Sequence, residues 1–280
     1  MRAFRGPVAG LLIALLGGGV TASQEPPLAL LLQRAAEYTL RYEERFAVVI
    51  GDEEYDQHVD GRAYRGPHDR KIASEMMFLW LTGEKTWLSV RNVVNVDGSL
   101  IKSSRKRLDL LLSAGAPVGV AHLRHMRDEG ARFNIGSIRR NFNDPMFPLR
   151  FLEPETQRRF TFALAGQETI GGTATSKVTF DEQAEPTFIQ DGKRNLPSHG
   201  ILWMAEDGRV LRTRIDVRDP LNRLSAFIIV NYGHDSKLDM LVPATMHELY
   251  LATGPGPERV ECNARYSDFR QFETAARVVP

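Results

Sequence analysis

The sequence predicts an α+β fold built on one large, curled antiparallel β-sheet. Three observations carry that prediction. At least seven strand-like segments joined by short turns fill the second half of the chain, helical spacing is confined mainly to the first half, and no segment recurs with a fixed period. Helices segregated from a run of strands mark an α+β arrangement rather than alternating βαβ units. The expected organisation is a leader over residues 1–22 and one domain over residues 23–280. A two-domain division near Asn141 to Pro154 is the alternative.

The leader has the order of an export signal. Arg2 and Arg5 supply positive charge, Val8 to Leu16 is an unbroken apolar run, and Val20-Thr21-Ala22 offers small side chains for cleavage. The apolar run is too short to span a bilayer, and no cysteine lies near the cut for lipid attachment. A soluble periplasmic or secreted protein is therefore expected. Removing the leader takes two of the 36 Lys and Arg and none of the 35 acids, so the mature charge is close to neutral. Such a chain has no global field to draw nucleic acid, and none is expected as a partner. Transient contact with an envelope membrane is compatible with it.

Leu28 to about Arg45 has no internal Gly or Pro. Leu28, Leu31, Leu32, Ala35, Ala36, Thr39 and Leu40 recur with helical spacing behind Pro26-Pro27. Strands are expected over Phe46–Ile50, Glu53–Val59, Ser74–Leu81 and Thr86–Val96, the last two paired across Thr82-Gly83-Glu84-Lys85. Leu100 to Leu112 and Val118 to about Phe133 read as helices interrupting the sheet, placed to cover one mouth or face of it. A meander follows: Arg158–Leu164, Thr175–Phe180, Pro186–Ile189, Ile201–Met204, Arg209–Val217, Ser225–Tyr232, Lys237–Val242, Met246–Leu251 and Glu261–Ser267. Glu206-Asp207-Gly208 makes a good hairpin turn, and Pro243 is expected to bend or interrupt an edge.

No catalytic, metal or cofactor set is assigned. His122, His125 and Glu129 share a helix face but lack a tight zinc pattern and are crowded by arginines. His234-Asp235-Ser236 are adjacent, so they cannot converge as a triad. The acids Asp52, Glu53, Glu54 and Asp56 read as a solvated turn. Cys262, the only cysteine, alternates with Val260, Ala264 and Tyr266 and reads as a buried structural thiol. Arg212 and Arg214 recur along one strand and are candidate contacts for an anionic headgroup at a cavity rim.

Two segments carry a family resemblance: Gly200-Ile201-Leu202-Trp203-Met204-Ala205-Glu206-Asp207-Gly208-Arg209-Val210-Leu211-Arg212, a strand, Asp-Gly turn and strand, and Leu238-Asp239-Met240-Leu241-Val242-Pro243. With the leader and the element order, they resemble the bacterial envelope lipoprotein-carrier (LolA-like) superfamily. The resemblance implies an incomplete barrel with helices over its mouth or concave face. It also implies an apolar cavity that shields lipid or acyl chains, with a lipid or lipoprotein as client. Residues expected to line such a cavity are Met76, Phe78, Trp80, Trp87, Phe160, Phe162, Trp203, Phe227, Met240 and Tyr250. The competing readings are a structural or partner-binding envelope protein and, behind it, a periplasmic hydrolase.

Overall fold

The computed structural model describes residues 27–46, 48–81, 83–102, 120–140 and 142–271. The leader and most of the helix expected at Leu100–Leu112 lie outside them. Helix α1 spans Leu28–Arg45 and α2 spans Val120–Ala131; short 3-10 turns cover Phe147–Leu152 and Gln157–Arg159. The strands are β1 (Val48–Gly61), β2 (Asp69–Leu81), β3 (Thr86–Val96), β4 (Ser99–Leu100), β5 (Phe160–Ile170), β6 (Thr173–Glu182), β7 (Gln190–Asp191), β8 (Arg194–Asn195), β9 (Ser198–Ala205), β10 (Val210–Asp219), β11 (Leu224–Asp235), β12 (Met240–Ala252) and β13 (Glu258–Gln271).

Among the described residues, eleven strands form one antiparallel sheet in the order β4-β3-β2-β1-β13-β12-β11-β10-β9-β6-β5, and β7-β8 form a small ribbon. β4 and β5 are its two edges, so the sheet is open. Its seam is the pairing of the first long strand with the last: Tyr55 opposes Ala264 and Gln57 opposes Cys262. The N-terminal hairpins and the C-terminal meander therefore share one continuous sheet.

Period-two alternation explains most of it. Along β1, Glu53, Tyr55, Gln57 and Val59 are buried while Glu54, His58 and Asp60 are exposed. The acidic run is thus mid-strand, not a turn: Glu53 points inward and its neighbours face water. The two segments expected at 46–50 and 53–59 fall in one strand from Val48, since the ladder to β2 runs unbroken through Gly51, which pairs with Met76. A Cβ at Gly51 would sit 2.7 Å from the ring of Phe269, which bulges toward it where the β1–β13 register shifts beside Asp268, whose φ is 48°. Pro243 does not end a strand either. It lies inside β12 opposite Tyr232, at a register shift against β11 and two residues before the ladder to β13 starts at Thr245, an irregularity of the kind that tolerates proline.

The main core lies on one face of the sheet and includes Leu31, Ala35, Tyr38 and Tyr42 of α1. These four follow helical spacing. They displace the expected Leu40, which is 46% exposed, because the tyrosines reach the aromatic cluster of Phe46, Phe78 and Trp87. α1 also rests on the β9–β10 turn, where Arg34 Nη1 donates to the Glu206 carbonyl at 2.8 Å. A smaller cluster joins Leu123 and Met126 of α2 to Met77, Leu79, Leu88 and Val90. β2 and β3 consequently bury both alternations.

Candidate functional site

A groove of about 1000 Å³ runs beside β3, between α2, the 132–150 segment and residues 188–190. Its apolar wall includes Met76, Trp87, Phe142, Phe147 and Phe188. Its polar lining holds seven arginines, Arg91, Arg124, Arg127, Arg132, Arg139, Arg140 and Arg150, against three acids, Glu84, Asp128 and Asp144. For a chain of nearly balanced charge, this is a local concentration of positive charge next to aromatic surface.

Each element places these groups for a reason visible in its local sequence. Trp87, Ser89, Arg91 and Val93 share one alternation of β3, so Arg91 enters the covered face with them. There it meets Glu53, with Nε to Oε2 at 2.6 Å and Nη2 to Oε1 at 2.8 Å, and its guanidinium lies 4.3 Å from the Tyr55 ring centroid. Ser74 Oγ donates to the same carboxylate at 2.6 Å. Ser89 Oγ donates to Asp144 at 2.7 Å, joining the groove floor to the 3-10 segment. Arg150 interrupts the apolar run Phe147–Leu152 and lies with its guanidinium carbon 4.9 Å from the Phe188 ring centroid.

Behind the groove runs a buried polar layer. Glu248, fully buried, accepts from Tyr55 Oη at 2.9 Å and Tyr250 Oη at 2.6 Å. Arg140 donates to Gln57 Oε1 at 2.7 Å, to the Ile135 carbonyl at 2.9 Å and to Cys262 Sγ at 2.7 Å. Gln57 in turn holds the 133–135 backbone through Phe133 O and Ile135 N. This layer fixes the 132–140 segment against the sheet and so shapes one wall of the groove.

Cys262 is fully buried. Burial, reinforced by Glu248, pushes its thiol up to about 12, and the nearby Arg140 only partly offsets this. At pH 8 the folded protein is expected to react with a small thiol reagent at least about a hundredfold more slowly than the unfolded chain. Equal rates in the two states would contradict that burial.

The ten residues read from the sequence are distributed over several places. Met76 and Trp87 line the groove. Phe78, Phe160, Met240 and Tyr250 are buried in the main core, and Trp80 and Phe162 pack half-buried against it. Trp203 and Phe227 occupy the other face, since their strand neighbours Leu202, Met204, Ala226 and Ile228 enter the core. Arg212 lies 5.4 Å from the Trp203 ring and pairs with Glu168 at 3.2 Å; Arg214 lies 5.1 Å from Phe227 and pairs with Asp216 at 2.7 Å. Sequence reasoning did not single out Arg91, Arg140, Arg150, Phe142, Phe147 or Phe188. A charge on an otherwise apolar alternation marks Arg91, and a lone cation inside an apolar run marks Arg150; the others come from irregular segments with no periodic signal.

No protein-family model and no curated protein matches the chain. Among solved structures it is similar to a domain described as outer membrane lipoprotein-sorting from Vibrio parahaemolyticus, at 11% identity and TM-score 0.33 over 86% of this chain and 94% of that one. It is also similar to a DUF1329 family protein from Desulfovibrio piger, at 10% identity and TM-score 0.33 over 89% and 95%. A third is the lipoprotein LppX of Mycobacterium tuberculosis, at 10% identity and TM-score 0.27 over 87% and 96%. These likenesses are distant, at 10–11% identity.

Proposed function

We propose that this protein works outside the cytoplasm and binds or carries an amphipathic ligand, a lipid or an acylated client, in the groove beside β3. One observation carries the reading: aromatic and apolar side chains and a cationic rim line the same groove. Apolar concavities with a few placed polar groups are the usual form of ligand sites. Each methylene buried against Trp87, Phe142, Phe147 and Phe188 would contribute about 0.8 kcal/mol before ordering costs. The sheet is read as an incomplete barrel with α1 over its main core face and α2 packed on the opposite alternation of β2 and β3, and the ligand enters beside the packed core rather than through it. Arg2, Arg5, the apolar run Val8 to Leu16 and Val20-Thr21-Ala22, which read as an export signal, support the location.

Tryptophan emission tests this directly. A series of long-chain amphiphiles below their micellar concentrations is expected to shift the emission of the mature protein, and Trp87→Phe is expected to remove most of that shift. Mass spectrometry of the natively extracted protein is expected to find a bound amphiphile. No bound molecule together with unchanged emission would end the reading. The weight would then move to partner binding, which β5 favours: it is a sheet edge with Ala163 to Gln167 exposed.

A further inference from the structure

Of the seven groove arginines, Arg91, Arg124 and Arg127 are already ion-paired with Glu53, Glu84 and Asp128. Arg140 spends its donors on neutral atoms of the buried layer. Arg132, Arg139 and Arg150 have no carboxylate within ion-pairing distance among the described residues. Arg150 is the most constrained of them. Its Nε is buried without a hydrogen-bond partner, and Phe188 flanks its guanidinium. Burial lowers the guanidinium's affinity for its proton, and the nearest acids, Glu153 and Asp144, only partly oppose this. Burial pushes Glu153 up to about 7 and raises Asp144 as well. A half-buried guanidinium that lines the groove with an unpartnered Nε has room for an anion.

We propose that the ligand of the groove carries an anionic headgroup, a phosphate or a carboxylate, held by Arg150 with Arg132 and Arg139 supplying further charge on the same groove. The proposal rests on the amphiphile reading and adds the headgroup class. Planar guanidinium forks suit the oxygens of either anion. The band of Arg212 and Arg214 on the other sheet face is a poorer candidate, because Glu168 and Asp216 already neutralise it.

The test compares dodecyl phosphate, dodecylphosphocholine and dodecyl maltoside on the mature protein, below micellar concentrations and at low salt, by tryptophan emission. Dodecyl phosphate is expected to bind at least about tenfold more tightly than the other two. Added salt is expected to shrink that preference in the unaltered protein. Arg150→Gln with Arg139→Gln is expected to bring the three within about twofold of one another while leaving dodecyl maltoside affinity in place. Equal affinities in the unaltered protein would overturn the headgroup assignment and leave the amphiphile reading standing. Binding of none would overturn both. Inorganic phosphate displacing dodecyl phosphate at comparable concentration would overturn a lipid source for the headgroup and assign the site to free phosphate.

Discussion

Replacing Glu53 with alanine is expected to destabilise the fold by about 3–5 kcal/mol, because it strands a buried guanidinium. The Glu53 side chain is 0% exposed and that of Arg91 10%. Burial alone would lower the Arg91 guanidinium, yet Glu53 overrides it and holds the group above its ordinary value. The carboxylate also accepts from Ser74, so its loss leaves two buried donors unanswered. A double change, Glu53→Leu with Arg91→Met, is expected to recover most of the stability, since an apolar pair of similar volume avoids the desolvation cost of both charges. Urea midpoints of the two single variants and the double variant decide the matter. A Glu53→Ala midpoint matching the parent protein would show that the pair contributes nothing.

Gly208→Val carries the second large effect. Gly208 holds φ at 86°, a conformation that L side chains rarely adopt, and a Cβ there would fall 2.3 Å from Arg34 C and 2.5 Å from Ala35 N. Those are backbone atoms of α1, which cannot yield without the whole helix moving. Left-handed strain and overpacking together are expected to cost roughly 2–5 kcal/mol, or to lift α1 from the β9–β10 turn. Gly254→Ala is the control: nothing lies within 4 Å of a Cβ there, and the change is expected to stay within about 1 kcal/mol. Thermal midpoints and proteolysis within α1 read both outcomes. A Gly208→Val protein as stable and as protease-resistant as its parent would mean that α1 is not seated on this turn.

The strands were legible because their alternation is local. β10 emerged within two residues of its expected bounds and β11 within three; β10 buries one face and wets the other, and β11 was marked by its apolar run. Glu53 was not legible: the three acids beside it, Asp52, Glu54 and Asp56, do face water, and only pairing with β13 decides which one of the four turns inward. The stripe on α1 was misjudged at Leu40 because the aromatic surface that selects Tyr38 and Tyr42 is made by residues far along the chain. The groove was the least readable part. Its walls come from irregular segments around 132–150 and 188–190 that have no period to follow, and they are joined to the sheet and to each other by contacts such as Gln57–Arg140, Ser89–Asp144 and Arg150–Phe188. Trp87 and Met76 were found because they sit on strands.

The β1–β13 seam also sets the order in which the chain can assemble. β1–β2–β3 is a local unit closed by short turns, and β9 to β13 is another, so each can form soon after it is available. Joining them means pairing Tyr55 with Ala264, about two hundred residues apart, which carries the largest loop-closure entropy in the sheet and slows folding accordingly. Until the final strand arrives, the first strand keeps a bare edge and the Glu248 carboxylate lacks one of its two phenols. Among the described strands, the last to be synthesised is thus the one that zips the two units together.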